Sequence, residues 1–308
     1  MKTGIYGDMF IVDRIIFRIY NNIHPKNHYI AYPIYKIDKN KIIKIKSTKY
    51  IKKYLAPVGK GINIPFIPRK KVTQYFSCFD LNLRLTGKTK KEFEIILQKL
   101  RKIGIKNIGL TGSTYLKGKG FKKDFSKSDL DFIIYGKKES KILMNKLSEL
   151  HDKDFHSYKF HPKKIYHRRK YHSTPFFIDY FTAKEFETSK PQGILNGTHI
   201  NITPTMKIKE TEITCKNKIE LMGLKKFRIK ILEDNKAQNT PAQYSVKDMA
   251  SDKEYILYTN IFYYCFGKKG NIFNIECEEI KNNNKVSLSL EGWGNFRKYR
   301  MNLIKHGK

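Results

Sequence analysis

Long apolar runs are missing from this 308-residue chain. No stretch of about 18 apolar residues exists to cross a bilayer, and Asp8 and Asp13 interrupt the N-terminus where a signal-peptide core would lie. A protein of the cytoplasm without membrane contact is expected. Cysteine is scarce. The four residues Cys78, Cys215, Cys265 and Cys277 are scattered, with no CxxC pair for structural zinc or redox exchange, so free thiols in a reducing compartment are expected. The Asn-x-Thr triplets at Asn196 and Asn201 then read as coincidences rather than glycosylation sites. No period repeats along the chain, which excludes a solenoid. Acid is outnumbered: 28 Asp and Glu stand against 62 Lys and Arg, a net charge of +34. Such an excess attracts polyanions, nucleic acid above all, although an A+T-rich coding sequence would also enrich Lys, Ile and Asn.

What is present is enough for a folded protein, with 40% apolar residues, 20 Phe and 20 Tyr. Residues 5–47 read as short strands rich in Ile, Tyr and Phe, with turn chemistry at Asn21, Asn22 and Pro25. A Pro/Gly-punctuated connection then suggests a boundary near residue 68. A helix follows, with Thr89 and Glu92 as a capping box. Its apolar face is Phe93, Ile96, Leu97, Leu100 and Ile103, and Gly104 suits a left-handed stop. Strands are expected at 107–112, 130–136 and 175–182, with a second helix over 139–151. From about residue 204 strand-like segments alternate with Gly/Asn/Lys turns, and the aromatics of this domain, Trp293 and many tyrosines, read either as core or as the surface of a small barrel that grips an oligonucleotide. The expected organisation is α+β: a strand-rich segment at 1–68, a core at 69–203 and a β-rich domain at 204–308.

The chemistry concentrates in the core. In Ser128-Asp129-Leu130-Asp131-Phe132, strand alternation sends both carboxylates to one face, roughly 6 to 7 Å apart along the chain, and both apolar side chains to the other. Paired carboxylates repel unless a cation lies between them, and an all-oxygen set suits magnesium or manganese. Asp179 sits in the apolar run Phe176-Phe177-Ile178-Asp179-Tyr180-Phe181, where an isolated carboxylate costs several kcal/mol. A metal, or an arginine such as Arg168 or Arg169, would compensate it. Upstream, Gly112-Ser113 ends a strand with backbone N–H groups and a hydroxyl open to phosphate.

Gly112-Ser113, Asp129-x-Asp131 and a later-strand Asp179, in that order of elements, resemble the DNA polymerase beta-like nucleotidyltransferase superfamily over residues 89–182. The whole chain also resembles a group of archaeal predicted nucleotidyltransferases. The resemblance implies a mixed sheet with helices on one side. It implies Mg2+ or Mn2+ on Asp129, Asp131 and Asp179, and an NTP or dNTP whose phosphates are held at Gly112 and Ser113. A nucleoside monophosphate would pass to a hydroxyl with release of pyrophosphate. The gap of fifteen residues between Ser113 and Asp129 is longer than usual, and its Lys/Gly-rich stretch from Gly118 to Lys123 could touch phosphate or be a solvated insertion.

Between Asp154 and Asp179 no acidic residue occurs. Lys163, Lys164, Arg168, Arg169 and Lys170 there, with interleaved tyrosines, suit a single-stranded nucleic acid, or form a solvated basic loop. The expected acceptor is nucleic acid. The rivals are a protein or small-molecule acceptor, and an inactive nucleic-acid-binding relative. Oligomeric state is not readable.

Overall fold

The computed structural model describes residues 3–20, 22, 24–45, 50, 52–59, 62–123, 129–157, 176–178, 190–207, 219–239, 242–259, 267–282, 285–290 and 299–305. Seven strands come first: β1 (Met9–Val12), β2 (Ile15–Ile19), β3 (His28–Asp38), β4 (Lys41–Lys44), β5 (Leu55–Gly59), β6 (Ile62–Pro68) and β7 (Gln74–Phe76). Helix α1 (Gly87–Lys102) leads to β8 (Ile108–Thr111), α2 (Gly112–Gly118), β9 (Lys122–Lys123) and β10 (Leu130–Tyr135). Next are α3 (Lys137–Asn145), α4 (Leu147–Leu150), β11 (Phe155–Ser157), β12 (Phe176–Ile178), β13 (Gln192–Leu195) and β14 (Thr198–Thr205). The remainder is β15 (Ile219–Lys236), β16 (Ala242–Asp248), β17 (Glu254–Thr259), β18 (Ile272–Asn282), β19 (Lys285–Ser289) and β20 (Tyr299–Lys305). The protein is mixed α and β, rich in strands and poor in helices. Among the described residues no helix is long and apolar enough to cross a membrane.

The chain divides into two compact units. One comprises 1–56, 64–156 and 193–215, the other 57–63, 157–192 and 216–308. Residues 1–56 and 64–68 therefore do not stand apart from the core, and the reason lies in their pattern. The runs MFIV and RIIFRIY are apolar on both faces. Met9, Ile11 and Ile16 share one cluster with Ile96 and Leu100 of α1 and Phe132 of β10, while Phe10, Val12, Ile15 and Phe17 fill a second cluster with Tyr29 and Ile67. A sheet buried on both sides needs partners on both sides, so the N-terminal strands fold with the core. The expected boundary at 203/204 likewise moves beyond β14, which belongs to the first unit.

One sheet runs β5-β6-β3-β2-β1-β7, with β4 paired to β3 and β9 paired to β4, and a second runs β11-β13-β14-β10-β8. Helix α1 buries Phe93, Ile96 and Leu100 as its periodicity requires, and it stops at Gly104, whose φ is +98°. The capping box does not form. The N-cap is Thr86 without a side-chain bond, and the buried Glu92 carboxylate instead accepts the Thr198 hydroxyl at 3.0 Å. The second expected helix is broken at Lys146, where φ is −107°, into α3 and α4. The Lys/Gly stretch from Gly118 to Lys123 packs against the N-terminal strands. β9 pairs parallel with β4, Lys122 opposite Lys41, and Phe121 packs edge-on against Phe76.

His24 supports the approach to β3. Its Nδ1 accepts the Ile30 N–H at 3.0 Å and its Nε2 lies 3.2 Å from the Gly4 carbonyl, so the neutral Nε2–H form satisfies both. Burial lowers its pKa to about 4, the Gly4 bond opposes, and Arg69 adds to the fall. A histidine depressed on folding stabilises fully above its unfolded value and loses that contribution as pH falls toward the folded one. Between pH 7 and 4.5 the stability difference between the wild type and His24→Leu should shrink by about 2–3 kcal/mol, measured by urea unfolding at both pH values. A constant difference would mean that the ring is not held neutral.

The second unit carries one sheet in the order β12-β20-β18-β15-β16-β17-β19, with β18 also paired to β19. That last pairing closes a ring. β15 is antiparallel to β16 and β18, β16 is antiparallel to β17, β17 is parallel to β19, and β19 is antiparallel to β18. Ile229, Ile231, Tyr244, Val246, Leu257 and Phe273 fill its interior.

Candidate functional site

The Asp-x-Asp segment opens β10. Leu130 and Phe132 are fully buried, with the Phe132 ring stacked on Phe93 at 5.8 Å. Asp129 and Asp131 alternate with them and are only partly buried. β10 lies between β8, antiparallel, and β14, parallel, so Asp131 has Thr111 on one side and Asn201 on the other.

Both neighbours orient it. The Asn201 amide donates to Asp131 Oδ1 at 2.9 Å. Gly112, at φ +77°, presents a bare Cα to the same carboxylate, because a Cβ there would stand 2.5 Å from Asp131 Oδ2. Only glycine accommodates that approach in that conformation. The next residue, Ser113, is buried and hydrogen-bonds Tyr35 of β3. Burial first, and the charge of Asp131 further, push the Tyr35 phenol up to about 12, against the Ser113 bond. Tyr35 is therefore a neutral hydroxyl at physiological pH. The Thr114 hydroxyl donates to the Asp129 carbonyl at 2.8 Å, which ties the start of α2 to the chain entering β10.

The N-terminal strands form a wall of this site. The Thr111 hydroxyl donates to the Gly7 carbonyl at 2.6 Å, and the Tyr6 N–H donates to Asn22 Oδ1, whose amide bonds Thr205 at the end of β14. The Arg18 guanidinium lies 5.8 Å from the Tyr6 ring centroid and 5.2 Å from that of Tyr20. Burial works against its charge, and the Asp131 carboxylate supports it. Arg18 Nε and the Tyr6 hydroxyl are buried without a hydrogen-bond partner among the described residues. Arg18 thus places fixed positive charge in the electrostatic neighbourhood of Asp131.

Of the expected site residues, Gly112, Ser113, Asp129 and Asp131 come together. Asp179, Lys163, Lys164, Arg168, Arg169 and Lys170 lie outside the described residues. β12, which ends just before Asp179, pairs with β20 in the sheet of the second unit. The parallel strand beside β10 is β14, which presents Asn201 opposite Asp131. Arg18, Tyr35 and Asn201 escaped the sequence reading. Two of them left a signal: Arg18 is a cation inside an apolar strand, and Asn201 stands between Ile200 and Ile202, both fully buried.

The donor set can be tested against magnesium or manganese. Among the described residues no three His, Cys, Asp or Glu side chains gather. Two carboxylates, an amide and a hydroxyl, all oxygen donors, are what magnesium needs when phosphate oxygens and water complete its shell. The residues present fit that arrangement, with Asp129 and Asp131 as the holders. The chain matches no protein-family model, no curated protein and no solved structure.

Proposed function

We propose that this protein is a metal-dependent nucleotidyltransferase that moves a nucleoside monophosphate from an NTP or dNTP to a hydroxyl of a nucleic acid. The observation that supports it most is the Asp131 carboxylate, set between Gly112 and Asn201 at the turn that presents Ser113. Carboxylates repel the phosphate that a donor-rich turn attracts. Their juxtaposition makes sense for a polyphosphate that arrives with a divalent cation. Such an ion would supply charge neutralisation on the phosphates and a more acidic acceptor hydroxyl.

Each residue then has a defined task. Asp129 and Asp131 would hold the cation, and the Asn201 amide fixes the Asp131 rotamer by occupying Oδ1. Gly112 lets the triphosphate approach the backbone, and Ser113 donates to a phosphate oxygen. Tyr35, neutral, keeps the Ser113 hydroxyl oriented. Arg18 adds positive potential for the anionic substrate. The acceptor hydroxyl loses its proton to solvent as its oxygen bonds the α-phosphorus, the bond to the bridging oxygen breaks, and pyrophosphate leaves. The +34 charge favours a polyanionic acceptor. Electron-paramagnetic titration of Mn2+ with a non-hydrolysable triphosphate tests the site. Wild type should bind the pair, and Asp129→Asn and Asp131→Asn should each weaken Mn2+ binding at least tenfold, about 1.4 kcal/mol. Unchanged Mn2+ affinity in both would remove the metal from these carboxylates.

A further inference from the structure

The ring in the second unit has a strand order of one-two-three-five-four, counted from β15, with the third and fifth strands parallel. This is the connectivity of small Greek-key barrels whose second- and third-strand face recurrently holds oligonucleotides or oligosaccharides. Topology alone does not choose a ligand. The surface chemistry does.

We propose that the outer face of β15, β16 and β17 binds single-stranded nucleic acid. Side chains alternate on these strands. Ile229, Ile231, Tyr244, Val246 and Leu257 point into the core, so Arg228, Lys230, Lys247, Ile256 and Tyr258 lie on the outside. Lys230 stands directly opposite Lys247, and like charges placed so repel, a cost that a bound phosphate removes. Lys247 also reaches Asp252 at 2.7 Å, with the Asp252 side chain 83% exposed. An exposed pair of that kind is weak enough for a polyanion to displace. Glu254, opposite Lys247, and Glu233, opposite Ser245, are acids on the same face. Along β17 from Glu254 come Ile256, 40% exposed, and the half-buried Tyr258, two residues apart on the same face. Cations at one end and an apolar, aromatic platform at the other grip phosphate and support bases in turn. An oligosaccharide would not call for the lysines, and a duplex would hide its bases from Tyr258.

The inference deepens the acceptor assignment but does not depend on transfer, because it concerns residues of the second unit alone. Its test uses the full-length protein and fluorescent oligo(U) and oligo(dT) of about 20 nucleotides, followed by anisotropy over a KCl series. Replacing Arg228, Lys230 and Lys247 by Gln should flatten the log–log salt slope by about 2, near 0.7 for each lost phosphate contact. A charge-matched control, Lys91→Gln, Lys102→Gln and Lys138→Gln, should leave the slope as in wild type. Tyr258→Ala and Ile256→Ser should weaken the oligomers on the order of tenfold without changing the slope or the affinity for inorganic polyphosphate. Bound oligomer should also protect Lys230 and Lys247 of the wild type from acetylation. Asp131→Asn should bind like wild type, so failure of the transferase reading would leave these results standing. Equal flattening by both triple variants, or wild-type oligomer affinity in Tyr258→Ala and Ile256→Ser together, would overturn the proposal.

Discussion

Asp131→Ala should lower the rate of nucleotide transfer by about three orders of magnitude or more, and Asp129→Ala by a comparable factor. Asp131 should matter most, because its carboxylate is the one that two neighbouring strands orient. It accepts from Asn201 at 2.9 Å and rests on Gly112. Loss of the group also leaves the Asn201 amide and the Arg18 guanidinium without an anion they interact with, which should destabilise the fold by about 1–3 kcal/mol. Activity must therefore be measured well below the melting temperature of each variant. Asp131→Asn keeps the shape and should be milder for stability but equally inactive, since an amide does not replace a charged ligand. A variant at either position that turns over within tenfold of wild type would contradict the assignment.

Gly112→Ala should separate the site from the fold. Two effects act at this position. The positive φ costs an alanine about 1 kcal/mol or somewhat more, and the new Cβ would meet Asp131 Oδ2 at 2.5 Å. That atom is the end of a side chain and can rotate away, so the chain still folds, but the carboxylate leaves its place. The expected result is a loss of about 1–2 kcal/mol in stability with a fall in kcat/KM of about a hundredfold or more. Gly120→Ala is the matching control. Its φ is +97°, and a Cβ added there would meet nothing within 4 Å, so it should show the strain alone and keep wild-type turnover. Equal activities in the two variants would mean that the approach of Gly112 to Asp131 is incidental.

Local periodicity carried much of this architecture, and long-range pairing carried the rest. The buried face of α1 and the inward Leu130 and Phe132 follow from spacings of a few residues, and they are where the sequence placed them. The break between α3 and α4, and the absence of a capping bond at Thr89, depend on what the neighbouring elements offer. Glu92 is drawn to Thr198, a partner 106 positions away, and no window around Thr89 contains it. The union of residues 1–56 with the core arose the same way. Two apolar faces on β1 and β2 announced burial, but not what would cover them.

The site was legible in part for a similar reason. Asp129, Asp131, Gly112 and Ser113 sit close together along the chain and in an order that chemistry makes sense of. Asn201 did not, because a polar residue in an Asn-x-Thr triplet invites a different reading, although its alternation with Ile200 and Ile202 marked a strand. Arg18 is more instructive. A cation amid Ile and Phe needs a partner just as a buried carboxylate does, and the same argument that drew attention to Asp179 applied to it unchanged.

The central claim is that Asp129 and Asp131 serve transfer of a nucleotidyl group, and the position of the moving phosphorus decides it. The purified protein is incubated with Mg2+, a mixed pool of RNA and DNA acceptors, and each nucleotide triphosphate labelled in turn on the α- or the γ-phosphate. The account predicts that α-label enters acceptor, that γ-label appears as pyrophosphate in equal amount, and that both signals vanish in Asp131→Asn. Label entering from the γ-phosphate, or transfer that persists undiminished in Asp131→Asn, would contradict it.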